Sequence, residues 1–169
     1  MYLDKKGIER CCTIDHYMPW WNTCASGGAA WPWMGAALAK TTKLTIGTGV
    51  TAPILRYLPA IVTQVFATLD YMFPKRVLLG LGRGEALNEV PSGNVWPSYK
   101  EKFRLLRESI ILIKKLWTED LVIFKGEFYS VKDSNLYTKP IHSIPIYIAG
   151  LGEPSAKLAG EEGNGFVTN

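Results

Sequence analysis

Two side chains able to move a proton stand far apart in this sequence, His16 and Glu85, each just beyond a short apolar run. An imidazole titrates near neutrality and accepts a proton from a substrate when a neighbouring carboxylate fixes its tautomer. Asp15 directly precedes His16 and Tyr17-Met18-Pro19-Trp20-Trp21 follows it. The residue types alone equally admit a loop histidine satisfied by backbone bonds. Trp20, Trp21, Trp31 and Trp33 fall within a short span. Such rings stack on a planar ligand or a sugar, fill a core, or form a surface lid. Glu85 closes the segment Gly80-Leu81-Gly82-Arg83-Gly84-Glu85. The dinucleotide fingerprint needs glycine at that sixth position, where the helix packs and the pyrophosphate approaches. A carboxylate there argues against a Rossmann NAD site, and no Walker sequence occurs. Read alone, the segment is a tight strand-to-helix turn in which glycine serves backbone angles. A second turn, Ala149-Gly150-Leu151-Gly152, precedes Pro154-Ser155. Free N–H groups at a helix start bind phosphate and Ser155 can add a hydroxyl, whereas Glu153 opposes it. Tyr137, Lys139 and His142 sit among prolines and read as loop residues.

The elements that must hold these groups alternate. Residues 8–14, 44–49, 76–81, 146–149 and 165–168 read as strands, the buried ones apolar without alternation. Residues 31–40, 58–73 and 154–162 have helical spacing. The clearest helix is 98–117, with Phe103, Leu106, Ile110, Ile113 and Trp117 on one face. Ser98 and Glu101 there have capping-box spacing behind Pro97. Residues 121–131 read as a hairpin about Lys125-Gly126. Strand–helix repetition implies an α/β fold with a parallel sheet flanked by helices. About five core strands can be found, where a closed (β/α)₈ barrel needs eight and about 250 residues. The chain is therefore either a small open sheet or a barrel cut at both ends.

The 169 residues suffice for one domain with a real core, and 47% hydrophobic against 20% charged is globular and not disordered. The net charge of +4 is small and scattered. The densest basic stretch, residues 100–115, is interleaved with Glu101 and Glu108 and reads as a solvated helix face. Nucleic acid is therefore not an expected partner, since that wants a one-sided basic stripe. No run reaches a membrane span, and the first residues lack the apolar stretch of a signal peptide. Cys11, Cys12 and Cys24 have no metal-ligand spacing, so no metal is expected. They read as buried or loop thiols of a reducing compartment, the cytoplasm.

Four segments in order carry a resemblance: Ile14-Asp15-His16-Tyr17-Met18-Pro19-Trp20; Ile46-Gly47-Thr48-Gly49-Val50-Thr51-Ala52-Pro53 with Arg56-Tyr57; Gly82-Arg83-Gly84-Glu85-Ala86-Leu87-Asn88-Glu89; and Ile146-Tyr147-Ile148-Ala149-Gly150. Their order and spacing resemble the deazaflavin-dependent branch of the bacterial luciferase-like superfamily. Within it the sequence is most similar to the coenzyme F-420-dependent glucose-6-phosphate dehydrogenases, alcohol dehydrogenases and methylene-tetrahydromethanopterin reductases. The resemblance runs from about Gly7 to Thr168. The segment Gly84 to Glu89 is the most specific part.

The resemblance implies a partial (β/α)₈ TIM barrel, truncated at both ends, with residues 1–169 as one incomplete domain of about strands two to six. It implies hydride transfer between coenzyme F-420 and an alcohol or sugar phosphate. By motif, His16 would take the substrate proton, supported by Asp15, which also joins the cofactor site. Trp20 would line the reacting face and Glu85 would act as proton donor. Asn88 would contact the cofactor ring, with Gly84 beside it. Gly49 and Val50 would form a non-proline cis bulge behind the ring. Ala149, Gly150 and Gly152 would hold the cofactor phosphate. Related full-length barrels pair as homodimers. Gly49, Ala52 and Arg83 depart from the sugar-phosphate enzymes and leave the substrate open. An FMN-dependent monooxygenase and an inactive barrel remnant are the alternatives.

Overall fold

In the computed structural model, which describes residues 2–168, the chain runs α1 (Tyr2–Lys5), β1 (Arg10–Thr13), α2 (Ala30–Ala39), β2 (Thr45–Thr48), α3 (Pro59–Met72), β3 (Val77–Leu81), α4 (Ala86–Glu89), α5 (Tyr99–Thr118), β4 (Val122–Lys125), β5 (Ser130–Ser134), β6 (Ile146–Ala149), α6 (Glu153–Glu162) and β7 (Gly165–Val167). Five strands form one parallel sheet in the order β1-β2-β3-β6-β7. Because all five run the same way, their C-terminal ends share one rim. That rim is where side chains from distant stretches of sequence meet.

Every residue of β3 is buried, as its unbroken apolar run implies. Ile46, Leu79, Leu81, Ile146 and Ile148 from the sheet share one core with Val62 and Phe66 of α3 and Leu106, Ile110 and Ile113 of α5. Phe66 is fully buried, and cutting such a ring back to alanine costs about 3–5 kcal/mol. The expected cap of α5 is present: the Ser98 hydroxyl accepts the Glu101 N–H at 3.3 Å. The basic stretch on α5 is solvated and paired, Arg104 with Glu127, Arg107 with Glu161 and Lys114 with Glu162. Among the described residues no helix is long and apolar enough to cross a membrane.

Three local readings differ. The hairpin turns over residues 126–129, wider than the Lys125-Gly126 pivot, because the Glu108 carboxylate of α5 accepts the N–H groups of Glu127, Phe128 and Tyr129. The short helices α1 and α4 escape the periodicity reading, since a single turn is too brief to show a period. Asp4 of α1 accepts the N–H of Thr42 at 2.7 Å and of Leu44 at 3.0 Å, tying that turn to the start of β2. The thiols are not all buried or in loops either: Cys12 lies on β1 and is exposed. β1 is an edge strand whose residues alternate between exposed and half-buried, which leaves Cys12 open to solvent.

Candidate active site

A cavity of about 430 Å³ opens on the C-terminal rim. Its wall draws on the residues that follow each strand: Ile14, Asp15 and His16 after β1, Gly49 and Val50 after β2, Gly82 to Glu85 after β3, Gly150 and Leu151 after β6, and Thr168 after β7. The floor is mostly main chain and small side chains. The Gly49–Val50 peptide is cis, as the resemblance implied. Gly49 N–H donates to the Thr13 carbonyl at 2.9 Å, which docks the bulge on β1. Val50 then presses on Gly82, where an added Cβ would lie 2.6 Å from the Val50 side chain. Gly84 has φ +70°, so the turn leading to Glu85 favours glycine.

His16 and Glu85 meet on the lip of this cavity, Nε2 to Oε2 at 3.5 Å. The imidazole is mostly shielded, with 19% of its side chain exposed, and the carboxylate is half open at 47%. The Trp20 ring lies 5.2 Å from the imidazole centre, tilted by 42°, and is largely exposed. The two proton-handling groups and the aromatic therefore converge from β1 and β3.

Asp15 behaves otherwise than expected. Its carboxylate accepts from the Thr51 hydroxyl at 2.7 Å and the Tyr57 hydroxyl at 3.1 Å, and lies 3.6 Å from the Arg56 guanidinium. Successive residues at a strand end point opposite ways, so Asp15 is turned into the floor while His16 faces the rim. The carboxylate beside His16 is Glu85, and its Nδ1 is buried without a partner among the described residues.

Asn88 also serves the protein. Its side-chain oxygen accepts the N–H groups of Tyr17 at 2.9 Å and Met18 at 3.1 Å, pinning the loop that carries His16. It also lines the cavity. Ala149 and Gly150 line the cavity. Gly152 instead stands outside the wall, as the N-cap of α6 with φ +126°. Ser155 is buried beneath Gly150, where an added Cβ would overlap it, so its hydroxyl is no part of the wall. Trp31 is a packing residue: it stacks on Tyr57 at 4.2 Å and donates to Thr51 at 3.4 Å. Arg83 lines the cavity with its guanidinium over the Tyr99 ring at 4.3 Å.

Residue-level reading passed over Arg56, Tyr57 and Glu89. Arg56 and Glu89 line the cavity, and Tyr57 bonds Asp15 beneath it. Glu89 is fully buried and faces Arg56 at 3.8 Å. Burial pushes its carboxyl above the usual carboxylate range, although the Arg56 N–H and charge pull it back. Burial, then the Asp15 charge, push the Tyr57 phenol up to about 12, so it stays a donor to Asp15. The available signal for Arg56 was a lone charged residue in the otherwise uncharged segment 46–57.

A family model described as luciferase-like monooxygenase matches residues 1–169. The F420-dependent glucose-6-phosphate dehydrogenase of Nakamurella multipartita is 42% identical over 165 residues, covering 98% of this chain and 49% of that protein. The enzyme of that name from Amycolatopsis mediterranei is 44% identical, covering 97% and 50%. Among solved structures, an F420-dependent secondary alcohol dehydrogenase in complex with an F420-acetone adduct superposes with a TM-score of 0.94 at 43% identity, covering 97% of this chain and 50% of that one. The coenzyme F420-dependent tetrahydromethanopterin reductase of Methanopyrus kandleri shares the fold, at a TM-score of 0.83 and 24% identity. The chain spans about half the length of the curated relatives it matches.

Proposed function

The chain belongs to the luciferase-like monooxygenase family, and on that premise we propose that it is part of an oxidoreductase passing a hydride between a hydroxylated substrate and coenzyme F-420. Its five parallel strands form the matching part of a TIM barrel, which we place at about strands two to six of a single domain. The observation that carries the reading is the His16–Glu85 pair on the lip of a cavity floored by glycine and small side chains. A floor of that kind fits a flat ring laid against the main chain.

When bound, the deazaflavin ring supplies the hydride acceptor. The protein supplies the rest. His16 Nε2 takes the proton from the substrate hydroxyl, and Glu85, 3.5 Å away, receives or returns it. Trp20 lines one side of the pair. Asp15, Thr51 and Tyr57 form the rigid floor that sets the height of His16. Asn88 and the main chain of Ala149 and Gly150 hold the cofactor. The relatives act, by their names, on glucose 6-phosphate and on a secondary alcohol. The substrate here is of the same hydroxylated class. Large apolar side chains exposed on α2 and α3, Trp33, Ile61, Tyr71 and Met72, suit a homodimer of the full-length protein. Three free cysteines suit the reducing cytoplasm.

The test is titration of the full-length protein with oxidised coenzyme F-420, followed by substrate-dependent bleaching of its absorbance. Binding and bleaching are expected, and His16→Ala should lower kcat by about 10²–10⁴-fold with the fold intact. Oxygen consumption with reduced FMN instead would make it a monooxygenase. Binding of neither cofactor would leave only the barrel ancestry.

A further inference from the structure

We infer that Arg56 is a positioning residue that locks the two halves of the proton-handling pair onto each other, a role resting on the reading of His16 and Glu85 above. Arg56 sits on the segment after β2, between the loop that carries His16 and the turn that carries Glu85. Toward the first, its Nη2 donates to the Asp15 main-chain carbonyl at 2.9 Å and lies 3.6 Å from the Asp15 carboxylate. Toward the second, its backbone N–H donates to Glu89 at 3.0 Å and its Nε lies 3.8 Å from the same carboxylate. Asn88, one residue before Glu89, accepts the N–H groups of Tyr17 and Met18. The path from Asp15 through Arg56, Glu89 and Asn88 to Tyr17 thus closes a ring of bonds around His16.

One guanidinium bond, one Arg56 main-chain bond and the two Asn88 bonds make this ring, with the Asp15 and Glu89 carboxylates 3.6 and 3.8 Å from the guanidinium, and the arginine is mostly buried at 12% side-chain exposure. A stability motive alone would not call for a fork, because a buried ion network is weak evidence of stabilisation. The fork does something a point charge cannot. It donates to a main-chain carbonyl and stands beside two carboxylates at 3.6 and 3.8 Å while its face stacks on Tyr57 at 4.4 Å. Without it, the peptide joining Asp15 to His16 loses its donor, and only the Asn88 bonds still tie that loop to the Glu85 turn.

Arg56→Lys in the full-length protein keeps the charge and removes the fork. Three readouts decide the matter: thermal unfolding, steady-state kinetics with the coenzyme F-420 affinity, and carbethoxylation of His16, mapped by mass spectrometry against His142 as internal reference. The expected result is a folded variant whose kcat falls about 100-fold while KM and cofactor affinity stay within about threefold. His16 should react about fivefold faster once its loop is released. Wild-type kcat and His16 reactivity in a folded Arg56→Lys would overturn the proposal. So would a fall in cofactor affinity that matches the fall in kcat, which would make Arg56 a ligand contact. If Arg56→Lys fails to fold, Arg56→Met combined with Glu89→Gln removes the guanidinium together with one of its two carboxylates, and failure of that variant too overturns the proposal. If the wild-type protein turns over no substrate, the functional reading fails, and the His16 reactivity still decides the role of Arg56.

Discussion

The residues that would do chemistry are few, and what surrounds them decides their state. Glu89 shows this most sharply. It is fully buried, and its carboxyl is raised above the 4.5 of an unperturbed glutamate. A group raised in the folded state binds its proton more tightly there than in the unfolded chain. Its contribution to stability is fully present below the unfolded value and is lost as pH rises through the folded one. Glu89→Gln removes that titration while leaving an oxygen for the Arg56 N–H. The expected outcome is that wild-type protein loses stability relative to Glu89→Gln as pH rises from 4.5 toward neutrality. Urea unfolding at a series of pH values measures the difference, and a gap that widens in the opposite direction would refute the assignment. The same scale explains what could be read in the sequence and what could not. His16 and Glu85 were legible because their residue types announce proton transfer. The contacts of Asp15 were not legible, because adjacency along the chain says nothing about which way a side chain turns at a strand end. Arg56 and Glu89 stayed silent because a buried ion pair has no period and no spacing.

Elements were legible in proportion to their length. The cap at Ser98 and the apolar face of α5 repeat over 20 residues and could be placed within a residue. The turn of the hairpin could not, since it is shaped by Glu108 from another element. Two substitutions separate a local signal from a sheet-level one. Ser98→Ala removes one cap bond on an exposed helix end and should cost about 1 kcal/mol. Gly80→Ala changes no local preference of comparable size, yet an added Cβ there runs into the Thr48 carbonyl of the neighbouring strand β2. Backbone cannot yield as a flexible side chain can, so the loss should be about 3 kcal/mol or more. Chemical denaturation of the two variants in parallel checks the order. Equal costs would mean that the β2–β3 contact relaxes more freely than its geometry implies.

At the scale of the molecule, the sheet is a curved ribbon whose edges, among the described residues, are β1 and β7. An edge presents a row of free N–H and C=O groups, which another chain can extend unless charge or a bulge prevents it. Neither strand carries such a guard along its length: Arg10 starts β1, but Cys11, Cys12 and Thr13 follow, and β7 is Gly165, Phe166 and Val167. A polypeptide of these 169 residues should therefore self-associate through its edges, independent of any helix-face dimer of a longer protein. Sedimentation velocity over a rising concentration series would show a growing weight-average coefficient in the micromolar range. Cys12→Lys places a charge on the exposed side of β1 without entering the core, and should reduce that growth while leaving the unfolding temperature near wild type. Unchanged association in Cys12→Lys would locate the contact at β7 or on the helices, and a monomer throughout would mean that the curvature of the sheet already protects its edges.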